Sequence, residues 1–231
     1  MMKVNTIPLA VFRPRERVLG MIGAWTGFAV NEAYAITSGL GYLSVKNPTD
    51  PIRDPYLSIM SLLIVVMVPF LILTMVAVHA YAAREHKSYS LAALAFMVML
   101  GVITSSVNFA LFVAARQPAL AQSLGSMAYI APGWPPLLQT MDSFAWDWFF
   151  ALSMLFAAPV FYGGRIQNAT RVLMIISGVI CIFGLVWMPF SPAVANWIGI
   201  VGWGVAGPFV FLLLANLFTR IQPDESPYPA A

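Results

Sequence analysis

The sequence predicts an all-α protein, a polytopic transmembrane bundle of six helices with both ends in the cytoplasm. Three observations lead there. The chain is 60% hydrophobic and only 9% charged over 231 residues, whereas a soluble domain carries about 25% charged residues. The apolar residues fall in continuous runs, not in the polar–apolar alternation of a membrane β-barrel. The runs are close to the roughly 20 residues that a helix needs to cross a bilayer. In lipid, backbone polar groups must pair internally, which a helix achieves within one segment.

The elements follow in order. Residues 1–17 form a basic N-terminus with Lys3, Arg13, Arg15 and Arg17. The first span covers residues 18–43. Its basic start and the small-x-small triplet Ala33-Tyr34-Ala35 resemble a signal peptide, but the segment is read as a retained span. The second span covers residues 56–83 and the third 89–115. The fourth covers 143–163, the fifth 172–188 and the sixth 197–219. The bundle as a whole occupies 18–222, and a polar tail follows at 223–231. The longest connection, 116–142, is extracytoplasmic in this topology. It contains Ala131-Pro132-Gly133-Trp134-Pro135-Pro136, which no regular helix accommodates.

Orientation follows from the basic residues. With the N-terminus inside, the inner segments hold Lys3, Arg13, Arg15, Arg17, Arg84, Lys87, Arg165, Arg171 and Arg220. The outer segments hold Lys46, Arg53 and Arg116. That split is what the positive-inside rule demands. It also accounts for the net charge of +3 without nucleic acid, for which no basic cluster interleaved with aromatics exists. Trp134, Trp146, Trp148, Trp187, Trp197 and Trp203 all fall in the outer half. Two readings of them stay open, an interfacial aromatic belt and an aromatic-lined outer cavity.

Ionisable residues inside a membrane are costly and are functional candidates by default. Glu32, preceded by Asn31, lies about 22 Å along the first span from Arg17, at roughly 1.5 Å per residue. In the third span Gly101, Ser105 and Asn108 share a face, at spacings of four and three, with Thr104 beside them. The fourth span opens with Asp142 and Asp147, the latter between Trp146 and Trp148. These groups share one depth. They are expected to line an outward-facing polar and aromatic cavity formed by Glu32, Asn31, Ser105, Asn108, Asp147, Trp146 and Trp148. The alternative is that the acids cap helix ends at the water interface, and Asp142 is expected to do so because acids are favoured at a helix N-terminus.

Several chemistries are excluded. Two histidines on one helix, His79 and near it His86, cannot clamp a haem from opposite faces, and His79 is expected to make an interfacial hydrogen bond. A retinal Schiff base needs a buried lysine, but Lys3, Lys46 and Lys87 lie outside the spans. The single cysteine, Cys181, forms no intramolecular disulfide and no multi-cysteine cluster. Nucleophile-elbow, zinc-protease and Walker motifs are absent from the sequence. No metal and no cofactor is implied.

Helix packing is also legible. Gly23 and Gly27 make a Gly-x-x-x-Gly step, and Gly199, Gly202, Gly204 and Gly207 crowd the last span. Small residues let helices approach closely in lipid. Pro69, Pro159 and Pro208 are expected to kink spans two, four and six.

Thr104-Ser105-Ser106-Val107-Asn108-Phe109 and Ala145-Trp146-Asp147-Trp148-Phe149-Phe150-Ala151-Leu152-Ser153, continued by Phe156-Ala157-Ala158-Pro159-Val160-Phe161, resemble stretches of bacterial multi-span inner-membrane proteins of uncharacterised activity. The resemblance implies a bacterial inner membrane and a helical bundle, and it transfers no functional residue. Three functions remain. The first is binding or translocation of a small amphipathic or hydrophobic molecule through the outer cavity. The second is an accessory subunit, packed in a larger membrane complex or homo-oligomer. The third is an intramembrane enzyme using the carboxylates of Glu32 and Asp147 as acid and base. Membrane lipids are the partner common to all three.

Overall fold

The computed structural model describes residues 12–47, 50–124 and 137–221. The 131–136 break, Trp134, Lys3 and the 223–231 tail lie outside them. Among the described residues there is no strand. The helices are α1 (Pro14–Ser44), α2 (Tyr56–Tyr81), α3 (Lys87–Arg116), a short α4 (Pro118–Leu124), α5 (Leu137–Val160), α6 (Arg165–Trp187) and α7 (Pro192–Arg220). Five of the six long helices, α2, α3, α5, α6 and α7, are apolar enough to cross a membrane. α1 is as long but less apolar, because Glu16, Arg17, Asn31 and Glu32 lie along it.

The long helices close into a ring. Each packs on its neighbour in sequence, across short connections except for the long 117–136 segment between α3 and α5, and α7 returns to pack on α1. The interior is held by unbranched and aromatic side chains. Met67, Met75, Met97, Met154 and Met174 are all inaccessible, with Leu71, Leu100, Phe150, Leu214 and Phe218 between them. Methionine suits this role because its flexible thioether fills irregular gaps. A smaller cluster of Ile52, Leu57, Met60, Val107 and Leu111 closes the end away from the termini.

The outside of this bundle is as apolar as its core. Val102, Phe109, Val179, Val186 and Phe209 are more than half exposed on the outer faces of α3, α6 and α7. Ser61, Thr74, Ser90, Thr104, Ser153 and Ser177 are fully buried, bonding where they can to helix carbonyls, as Ser153 Oγ does to Ala93 O (2.8 Å). Lipid tolerates the first set, and internal pairing removes the cost of the second.

Cations tie the helix ends. Arg17 of α1 donates through Nε to Phe218 O (2.8 Å) and through Nη2 to Thr219 O (2.7 Å). It thereby satisfies orphan carbonyls at the C-terminus of α7, where a positive charge also meets the helix dipole. Lys87 Nζ likewise donates to His79 O and Ala80 O at the end of α2. At the opposite end Arg116 reaches Ser58 Oγ (3.1 Å) and Asp54 Oδ2 (3.6 Å). His79 makes the expected hydrogen bond, to Ser90 Oγ at 2.9 Å.

The Gly23–Gly27 step packs within the bundle. A Cβ on Gly23 would lie 2.8 Å from Thr74 N and 2.9 Å from Phe70 O, both backbone atoms of α2, whereas one on Gly39 would meet nothing within 4 Å. Gly23→Ala must push α1 off α2 and is expected to cost about 1–3 kcal/mol. Gly39→Ala should be neutral or stabilising by up to about 1 kcal/mol, through helix propensity alone. Unfolding of the two variants in mild detergent checks the contrast.

One expectation from the prolines needs correction. Pro159 does not kink the middle of a span. It lies in the 3₁₀ turn Ala158–Val160 that ends α5. Pro208 lies inside α7, directly after the π-helical turn Ile200–Ala206. A second π-helical turn, Ala145–Phe150, interrupts α5.

Candidate functional site

The two π-helical turns face each other in the half of the bundle away from the termini. A π turn carries i→i+5 hydrogen bonds, as in Gly207 N–H to Gly202 O, and such turns concentrate at functional sites. In α5 the turn has a direct consequence for the acids. Asp142 and Asp147 are five residues apart, which on a regular α-helix puts them on well-separated faces. The wider turn at Ala145–Phe150 brings Asp147 round towards Asp142, and the two carboxylates are electrostatic neighbours.

Their surroundings differ. Asp142 Oδ1 accepts from Thr104 Oγ1 and from Asn108 Nδ2 (3.1 Å), both on α3. Asn108 Nδ2 also reaches Thr104 O at 2.9 Å, and Trp146 Nε1 donates to Thr104 Oγ1 at 3.1 Å. Thr104 and Asn108 face α5 together because they are four residues apart on one helix. Asp142 therefore does not cap a helix end. It lies within the helical segment Leu137–Phe144 and is the hub of a network joining α3 to α5.

Asp147 has no such support. It is 1% exposed, and among the described residues neither carboxylate oxygen has a hydrogen-bond partner. The carboxylate is seated on Gly199 of α7, where an added Cβ would overlap both oxygens. Gly199 is held there by close packing of α6 on α7. A Cβ on Gly184 would come within 3.0 Å of Gly199 N, and one on Gly202 within 3.0 Å of Cys181 N. Ser177 Oγ–H donates to Gly202 O (2.8 Å) across the same seam. The buried Cys181 thiol is a further electrostatic neighbour of Asp147.

Aromatic rings cover this centre. Trp146 packs on Trp203 of α7 with centroids 5.2 Å apart and on Phe150 at 5.6 Å. Trp203 in turn meets Tyr34 of α1 at 6.2 Å. A buried carboxylate with a half-buried one beside it, four large rings and no cation within ion-pair distance of either acid, among the described residues, thus define the site. Thr104→Val would leave the Trp146 and Asn108 donors without the hydroxyl and remove a donor from Asp142. It is expected to destabilise the bundle by about 1–3 kcal/mol, read as a lowered unfolding midpoint in detergent.

The residues expected from the sequence divide into two sets. Asn108, Asp147 and Trp146 meet in the centre just described. Glu32 and Trp148 do not, since both are exposed on the outer surface of the bundle. Ser105 is half-buried beside the network and makes none of its bonds. Asn31 is buried with its Oδ1 unpartnered. The expected open cavity ringed by Glu32 and Asp147 is therefore corrected to a closed, packed centre, because the Asp147 oxygens reach no solvent. Sequence reading missed Asp142 as the hub, Gly199 as the seat of Asp147, and Tyr34 as a lining ring. The Thr104/Asn108 spacing was the available signal for the first.

Apolar outer faces, polar side chains buried within the core and five helices of spanning length define a multi-pass α-helical membrane protein. Comparison adds no narrower class, since no protein-family model, curated protein or solved structure matches the chain.

Proposed function

We propose that the protein binds, or carries across the membrane, a small amphipathic molecule bearing a positive charge, at the centre formed by Asp142, Asp147, Trp146 and Trp203. The observation that carries this reading is Asp147, a buried carboxylate with neither donor nor cation among the described residues. A buried charge without a partner is expensive, and inside a membrane such a residue marks a ligand or ion pathway by default. Tryptophan faces next to it favour a cation by their quadrupole, and the apolar remainder of the ligand would rest on Phe150 and Tyr34. The site is closed, so loading requires α7 to move off α5, and the two π-helical turns are where those helices yield. Six spans, with both termini in the cytoplasm of a bacterial inner membrane, complete the proposal. The basic-residue asymmetry and the two resembling stretches support that topology and location.

A second reading has its own observation. Glu32 stands exposed on α1, 18 residues beyond the start of a 31-residue helix, where lipid would otherwise meet it. A partner helix offering a donor or cation would relieve that cost, as in a subunit of a larger membrane assembly. Glu32→Gln is expected to leave ligand binding at Asp147 unchanged and to weaken any co-purifying assembly. Loss of ligand binding with assembly intact would reverse the two assignments. The acid–base enzyme reading loses its stated pair, because Glu32 and Asp147 do not line one space.

A further inference from the structure

We infer that Asp147 holds an exchangeable proton in the closed form, and that a cationic ligand takes the proton's place, so that loading releases it to water. The inference rests on the ligand reading above and deepens it into proton-coupled binding. Both Asp147 oxygens are buried without a partner against the Gly199 backbone. An ionised carboxylate there would have no donor and no cation among the described residues, a costly arrangement in a protein interior. Asp142, with two donors on Oδ1, does not share that problem, so the two acids divide the work. Asp142 fixes α3 to α5, and Asp147 is left to exchange.

Among the described residues the competing proton acceptor near Asp147 is the Asp142 carboxylate, whose Oδ1 is committed to the Thr104 and Asn108 donors. Its own helix presents Asp142, α6 presents the Cys181 thiol, and α7 presents glycine backbone. α3 directs Thr104 and Asn108 to Asp142, and Tyr34 of α1 is an electrostatic neighbour of Asp142 and of Tyr42. The exchange balances simply. The Asp147 O–H bond breaks, its electron pair stays on the carboxylate, the proton passes to bulk water, and the ligand cation neutralises the carboxylate. No redox partner is needed.

Infrared difference spectroscopy on the full chain in lipid, with carbon-13-labelled aspartate, reads the proton directly. The probe is tetraphenylphosphonium, an apolar cation with no proton of its own, so any proton released comes from the protein. At neutral pH the carbonyl band of a protonated, weakly bonded acid is expected in the parent protein and in Asp142→Asn. It should be absent from Asp147→Asn and, should that variant not fold, shifted in Asp147→Glu. Saturating probe should remove the band and release a single proton per site. Probe binding without any acid band overturns the inference and leaves the ligand reading standing. A band that persists under bound, saturating probe overturns it equally. Failure of any apolar cation to bind refutes the ligand reading, and the coupling falls with it.

Discussion

Asp147→Asn keeps the bundle folded and sharply weakens cation binding. Asparagine matches a neutral aspartic acid in size and shape, so the seat on Gly199 is preserved and the unfolding midpoint should move by less than about 1 kcal/mol, the ordinary range for a near-isosteric change. What it cannot supply is negative charge. Losing one partner of a desolvated charge pair costs about 2–5 kcal/mol. At 1.4 kcal/mol per tenfold, that is a fall in affinity of at least about 30-fold. Titration of parent and variant with tetraphenylphosphonium separates the two readouts. If unfolding weakened as much as binding, Asp147 would be a structural residue and the functional assignment would fail.

Gly199→Ala has the second large effect, and it is specific to one contact. The new methyl group would overlap the Asp147 carboxylate where it now sits. α7 must lift from α5, at an expected cost of about 1–3 kcal/mol. Gly204→Ala provides the control, because its nearest neighbour would be Ile200 Cγ2 at an ordinary 3.4 Å. A double-mutant cycle makes the claim sharper. Once Asp147→Ala has removed the carboxylate, the Gly199 methyl group fits, so the combined loss should fall short of the sum by about 1–2 kcal/mol. Additive losses would mean that Gly199 serves the α6–α7 seam alone and does not seat the acid.

The fold was legible because lipid imposes it. Six apolar runs of spanning length predict six long helices, and their centres agree with α1 to α7, short α4 aside. The ends were less visible. α5 begins at Leu137, earlier than its hydropathy suggests, because Gln139, Thr140 and Asp142 are polar residues turned inward. Polarity was read as interface when it was interior, and that error made Asp142 a cap. The site was legible only in part. Asp147, Asn108 and Trp146 stood out as polar or aromatic residues at one depth. Glu32 stood out for the same reason but faces outward, since depth along a helix does not fix the face. The π-helical turns explain the remainder. They rotate Asp147 towards Asp142 and bring Trp203 onto Trp146, and no composition or spacing rule announces such a turn. The glycines of α7 were read as packing residues, which they are, but Gly199 also makes room for a carboxylate.

The central claim is that a small molecule occupies the centre at Asp147. Native mass spectrometry of the gently solubilised full chain, recording every co-purifying mass, tests it most directly. The account predicts a stoichiometric non-protein mass, bound by the parent protein and by Glu32→Gln, and lost from Asp147→Asn. A mass retained by Asp147→Asn, or a co-purifying polypeptide at fixed stoichiometry with no small molecule, would contradict it.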